Sequence, residues 1–149
     1  MQLTRFTDLG LRVLMYLTHR DRDALVTIAE IAEQFAVPHN HLIKVVNRLG
    51  KLGWVHTLRG RSGGLRLAVV PAELTIGRVL RELEGSTELI DCAEPPCALR
   101  ADCRLKAALD QGLRAFYVAM DAFTLASVVD APTGDTIITL HRQYLALHR

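Results

Sequence analysis

The most informative gap in this sequence is of acidic side chains. From Gln34 to Ala72 there is no Asp or Glu, although the same stretch holds Lys44, Arg48, Lys51, Arg59, Arg61 and Arg66. Solvated faces usually mix signs, whereas a surface that faces phosphate does not. The whole chain carries 18 Lys and Arg against 16 Asp and Glu, so the basic segment sits in a remainder that is acidic on balance. Apolar runs long enough to span a bilayer are also missing. Met1 to Gly10 lack the basic start, apolar middle and small-residue cleavage site of a signal peptide. These two absences predict a cytoplasmic protein. No internal repeat or low-complexity tract is present, which excludes a repeat architecture. Paired carboxylates, a nucleophile–base arrangement and a cofactor fingerprint are lacking too, so nothing in the sequence nominates an enzyme. His19, His39, His56, His141 and His148 read as surface or capping histidines.

What is present suits one domain, or a small domain with an appended dimerisation element. Half of the 149 residues are hydrophobic and the mean hydropathy is +0.17. That is enough for a packed core, with an excess suited to a subunit interface. Phe6, Leu9, Val13, Tyr16 and Leu17 recur at helical spacing and predict a first helix over roughly Thr4 to His19, ended by the cluster Arg20 to Asp23. Thr27-Ile28-Ala29-Glu30 is a capping box, and Ile28, Ile31, Ala32 and Phe35 form the apolar stripe of a short second helix. After a brief turn, Pro38 stands where a first helical residue tolerates proline. A third helix follows, burying Leu42, Val45, Val46, Leu49 and Leu52. Two helices joined by so short a turn make a helix-turn-helix.

Gly53 stops the third helix. Two β-rich runs, Trp54 to Arg59 and Leu65 to Val69, flank Gly60-Arg61-Ser62-Gly63-Gly64 and predict a hairpin wing with an arginine at its tip. A fourth helix begins near Thr75 and runs to Gly85. From Arg104 a long helix carries Leu105, Leu109, Leu113, Phe116, Met120 and Phe123, close to a heptad seam, and is assigned to dimer packing. Packing against its own domain is the alternative. Residues after Ala131 have no clear assignment; the tail reads as a short helix or a frayed end. The expected fold is mainly α: a winged helix-turn-helix over 1–85, a cysteine loop over 86–103, and a dimerisation helix and tail over 104–149.

The third helix has what a recognition helix needs. Lys44, Arg48 and Lys51 can neutralise phosphates, while Asn40, His41 and Asn47 can hydrogen-bond base edges in the major groove. Arg61, flanked by Arg59 and Ser62, can reach an adjacent minor groove, and Thr27 joins the set at the start of the second helix. A glycine-rich loop can also cradle a nucleotide, but no G-x-x-x-x-G-K-[ST] occurs and this loop joins two strands. With the heptad seam, these residues predict a homodimer on an inverted-repeat operator of double-stranded DNA.

All three cysteines, Cys92, Cys97 and Cys103, fall in one twelve-residue window beside Pro95 and Pro96. A disulfide would strand one thiol and is disfavoured in a reducing compartment. Zinc is possible, but C-x-x-C pairs are absent and no histidine lies between Cys92 and Cys103. Three thiolates on a loop suit an iron–sulfur cluster, 4Fe–4S or 2Fe–2S, that takes one ligand from elsewhere. Iron–sulfur, zinc and plain structural thiols all remain open on the chemistry alone.

The motifs "HNHLIKVVNRLGKLGWV", "RGRSGGLRLA" and "TIGRVLRELEG", followed by three cysteines and a long helix, resemble the Rrf family of winged-helix regulators across essentially the whole chain. The cysteine spacing, with "MQLTRFTDLGLRVLMYL" at the N-terminus, resembles the nitric-oxide-sensing repressors within it. The resemblance implies a homodimer that represses nitric-oxide detoxification genes while its cluster is intact. It makes Cys92, Cys97 and Cys103 the ligands, with Asp8 of the partner subunit as the fourth. Arg12, one turn on, can pair with Asp8 and orient it. Without the resemblance, Asp8 is a helix-start charge favoured by the macrodipole. A regulator of another iron–sulfur or redox signal, or a zinc-stabilised DNA-binding module, are the competing functions.

Overall fold

A computed structural model describes residues 2–19, 25–61, 63–85 and 88–148. Helix α1 (Arg5–Leu17) starts at Thr4, whose hydroxyl accepts from the Thr7 amide, and buries Leu9, Val13, Leu14, Tyr16 and Leu17 on one face. Its expected terminator, the cluster at 20–23, lies outside the described residues. Helix α2 (Ile28–Gln34) follows a cap at Thr27, which accepts from the Glu30 amide at 3.1 Å.

Only that half of the predicted capping box forms. Glu30 does not reach back to the cap. Its carboxylate is buried, accepts from the Tyr16 hydroxyl at 2.7 Å and lies 2.6 Å from His141 Nδ1. A carboxylate on the inward face of a helix must find partners in the core, and that need outranks a solvent-side cap. His141, expected at the surface, is therefore a core residue.

Ala36, at φ +50°, turns the chain between α2 and α3 (His39–Lys51). Pro38 caps α3 and is not its first residue. Leu42, Val45, Val46 and Leu49 face the core. The helix closes as a Schellman motif: the Trp54 amide donates to the Leu49 carbonyl and the Gly53 amide to the Gly50 carbonyl, with Gly53 at φ +73°. A side chain at Gly53 would be strained in that left-handed conformation.

The wing is an antiparallel pair, β1 (Val55–Leu58) and β2 (Gly64–Leu67), with Val55 opposite Leu67 and Leu58 opposite Gly64. Gly64 thus belongs to a strand, where the sequence placed it in the tip. Across β2 runs the segment before α2: the Leu65 amide donates to the Val26 carbonyl at 2.7 Å. A Cβ on Gly64 would come within 2.7 Å of that carbonyl, so the close approach needs glycine.

Helix α4 (Ile76–Glu84) is capped by Thr75, and Gly85 ends it in the left-handed region. Helix α5 (Arg104–Asp121) packs on α4, where Leu113 and Tyr117 meet Ile76 and Leu80, bordered by Phe116 and Met120. The predicted seam is therefore divided. Leu113, Phe116 and Met120 cover their own domain, while Leu105 and Phe123 stay exposed. The tail is an ordered helix, α6 (Thr133–Leu147), that returns to α2 and buries Ile137 and His141. It is part of the N-terminal core, not an appendage of α5. No helix among the described residues is long and apolar enough to cross a membrane.

Candidate nucleic-acid interface and cysteine segment

Helix α3 presents Asn40, His41, Lys44, Asn47 and Lys51 to solvent, opposite the stripe that packs on α1 and α2. The helical period makes this division: the buried residues at 42, 45, 46 and 49 leave the polar ones on the other side. The wing adds exposed Arg59 and Arg61; Ser62 lies outside the described residues. Thr27 is half-buried and its hydroxyl is engaged in capping α2.

Arg48 differs from its neighbours. It is only partly exposed, and its Nη2 donates to the Glu82 carboxylate and to the Glu82 backbone carbonyl, both at 3.2 Å. Arg66, counted in the basic stretch but not among the named DNA contacts, stands exposed on β2 as the cross-strand partner of exposed His56. The strand alternation that buries Leu65 and Leu67 was the signal that turns Arg66 outward.

The three thiols are free and half-buried. Backbone bonds shape their segment: the Cys97 amide donates to the Cys92 carbonyl at 3.1 Å and the Arg100 amide to the Cys97 carbonyl at 3.2 Å. Cys103 is the N-cap of α5, its Sγ accepting from the Lys106 amide at 3.4 Å. Burial raises the Cys92 thiol above its ordinary value. Cys97, Cys103 and Glu88 push the same way and Lys106 opposes them. Among the described residues no three His, Cys, Asp or Glu side chains are arranged to hold a metal ion.

Lys106 braces this region by donating to Asp110 at 3.1 Å and to Glu88 at 3.2 Å, and these bonds raise its affinity for its proton. Asp8 and Arg12 pair on the exposed side of α1 at 3.0 Å, as their four-residue spacing predicts. The Arg12 guanidinium also sits 5.6 Å above the Phe35 ring. Together with Gln2, Leu3 and Val37 the pair borders a surface cavity of about 640 Å³.

The chain is 45% identical over 142 residues to the HTH-type transcriptional repressor NsrR of Streptomyces coelicolor, covering 94% of this chain and 96% of that protein. It is 44% identical to the HTH-type transcriptional regulator NsrR of Geobacillus kaustophilus, over 87% of this chain and 90% of that one. Among solved structures, IscR of T. potens superposes with a TM-score of 0.69 at 22% identity, covering 87% of this chain and 86% of that one. CymR, the global cysteine regulator of B. subtilis, gives a TM-score of 0.67 at 21% identity, covering 86% and 95%. These two likenesses establish the winged-helix fold. Residues 3–131 match the family model Rrf2, described as an iron-dependent transcriptional regulator, and the chain belongs to that family.

Proposed function

We propose that this protein is a homodimeric transcriptional repressor that binds an inverted-repeat operator and senses nitric oxide through an iron–sulfur cluster. The observation that carries the reading is the position of the cysteine segment. Three free thiols lie between α4, which Arg48 ties to the recognition helix, and α5, whose first turn accepts Cys103 as its cap.

The donor set fits the group. Soft thiols gathered in a partly exposed segment are suited to iron, and Cys92, Cys97 and Cys103 would hold it. When bound, the cluster supplies iron that reacts with nitric oxide. The Lys106 amide steadies Cys103 Sγ, and the Lys106 ammonium lowers the cost of negative charge at Cys92. Asp8 of the partner subunit would supply the fourth ligand, its carboxylate held by the Arg12 that pairs with it within one chain. A ligand borrowed across the interface couples the cysteine segment to the spacing of the two recognition helices. On the DNA side, Asn40, His41 and Asn47 read bases while Lys44, Lys51, Arg59 and Arg61 neutralise phosphates.

The dimer forms through the outer face of α5. Ala108, Gly112, Ala115 and Ala119 succeed one another at helical spacing, flanked by exposed Leu105 and Val118. Of the seam read from the sequence, Leu113, Phe116 and Met120 are taken up by packing on α4, which leaves Leu105 to join this face. The test is the visible absorption spectrum of anaerobically purified protein before and after nitric oxide, with iron, zinc and sulfide analysis and operator binding. Iron and sulfide bound together, and operator released by nitric oxide, are expected. Protein that holds zinc or no metal, or operator affinity indifferent to nitric oxide, overturns the sensing mechanism. An Asp8→Ala variant with an unaltered spectrum removes Asp8 from the ligands.

A further inference from the structure

The recognition helix carries one arginine that the protein already holds. Arg48 lies in the last turn of α3 and Glu82 in the last turn of α4. One guanidinium nitrogen, Nη2, serves both oxygens of Glu82, the carboxylate and the backbone carbonyl. That carbonyl is among the last four of α4, which have no partner within the helix. Arg48 therefore caps α4 from outside while its charge is offset by the carboxylate. Both side chains are a little under half exposed, 43% and 44%, so solvent and a phosphate can reach them. An arginine presents five donors in a rigid fork, and most remain available after one nitrogen is engaged.

We propose that Glu82 is a charge gate on the recognition helix: it competes with DNA phosphate for Arg48 and sets how much of that charge the operator receives. The inference rests on the DNA-binding face proposed for α3 and the wing. An arginine neutralised by its own chain displaces no counterion from DNA, whereas one that meets phosphate adds about 0.9 to the slope of log affinity against log salt. Gly85 ends α4 and the chain proceeds to Cys92, so the gate lies on the element that joins the sensing segment to the reading helix.

Glu82→Gln tests this, because it removes the charge while keeping the size and the backbone carbonyl that Arg48 caps. Binding of the anaerobically purified full chain to a mixed-sequence duplex of about 30 base pairs is measured across a salt series, since phosphate attraction does not depend on sequence. The expected result is roughly two- to fivefold tighter binding, the range of an exposed ion pair, with a steeper salt slope. The gain must vanish when Arg48→Ala is already present. Unchanged or weaker binding by Glu82→Gln overturns the gate, and so does a gain that persists without Arg48, which would reflect only a lost negative charge. Lys51→Ala is the control: if it weakens binding while Glu82→Gln does nothing, the DNA-binding face stands and the gate alone falls.

Discussion

The carboxylate of Glu30 is almost wholly buried between Tyr16 and His141, partners 14 and 111 residues away in the chain. Its spacing from Thr27 made it legible as a capping residue, because capping is local. Its core role was not legible, because both partners arrive by packing. Removing such a group takes from the Tyr16 hydroxyl and the His141 ring the buried carboxylate oxygen that both of them bond. Glu30→Ala is therefore expected to cost about 3 kcal/mol or more. Thr27→Ala, which removes only a cap bond, should cost about 1 kcal/mol. Urea unfolding of both variants checks the order, and equal midpoints would mean that Glu30 does not hold the core together.

Between elements, the α4–α5 junction is fastened at Asp121. Arg81 donates to it through two nitrogens, at 2.8 and 2.6 Å, and the Thr75 hydroxyl adds a bond at 3.2 Å. The Arg81 bonds hold the Asp121 carboxyl below its ordinary value despite partial burial, with Thr75 helping. In the unfolded chain this carboxyl regains its ordinary affinity and takes up a proton first as the pH falls. The stabilisation is therefore complete at neutral pH and is lost as the pH falls from about 4 through the depressed folded value. Acid unfolding of Asp121→Asn should show a shallower loss in that window than the parent protein, and superimposable profiles would exclude the latch. Gly77 allows the junction to close. A Cβ there would come within 2.9 Å of the Asp121 amide nitrogen and collide with its carboxylate. Gly77→Ala should then cost roughly 1–3 kcal/mol through overpacking, read from the thermal midpoint.

At the scale of the molecule, α5 divides into a face that packs on α4 and a face left exposed. Leu113 and Tyr117 pack on Ile76 and Leu80 of α4, while Ala108, Gly112, Ala115 and Ala119, on the face proposed for the dimer, stay exposed beside Leu105 and Val118. A Cβ at Gly112 meets nothing within 4 Å, so a substitution there leaves the single chain undisturbed. Gly112→Glu should preserve the circular dichroism and thermal midpoint while shifting sedimentation from dimer to monomer and weakening operator binding. Dimers that survive this charge would place the interface elsewhere.

The helix-turn-helix, the wing and the basic surface were determined by the sequence alone. Each rests on short-range rules: a period that sorts Leu42, Val45, Val46 and Leu49 from Lys44, Asn47 and Lys51, and a glycine whose backbone freedom ends α3. The pairing of Asp8 with Arg12 was legible for the same reason, one helical turn separating them. Tertiary structure decided what those rules cannot reach. It placed α6 in the core with His141 against Glu30, turned Leu113 and Tyr117 of α5 toward α4, and gave Arg48 to Glu82 across 34 residues. Periodicity identifies which residues share a face; only packing chooses which neighbour that face meets.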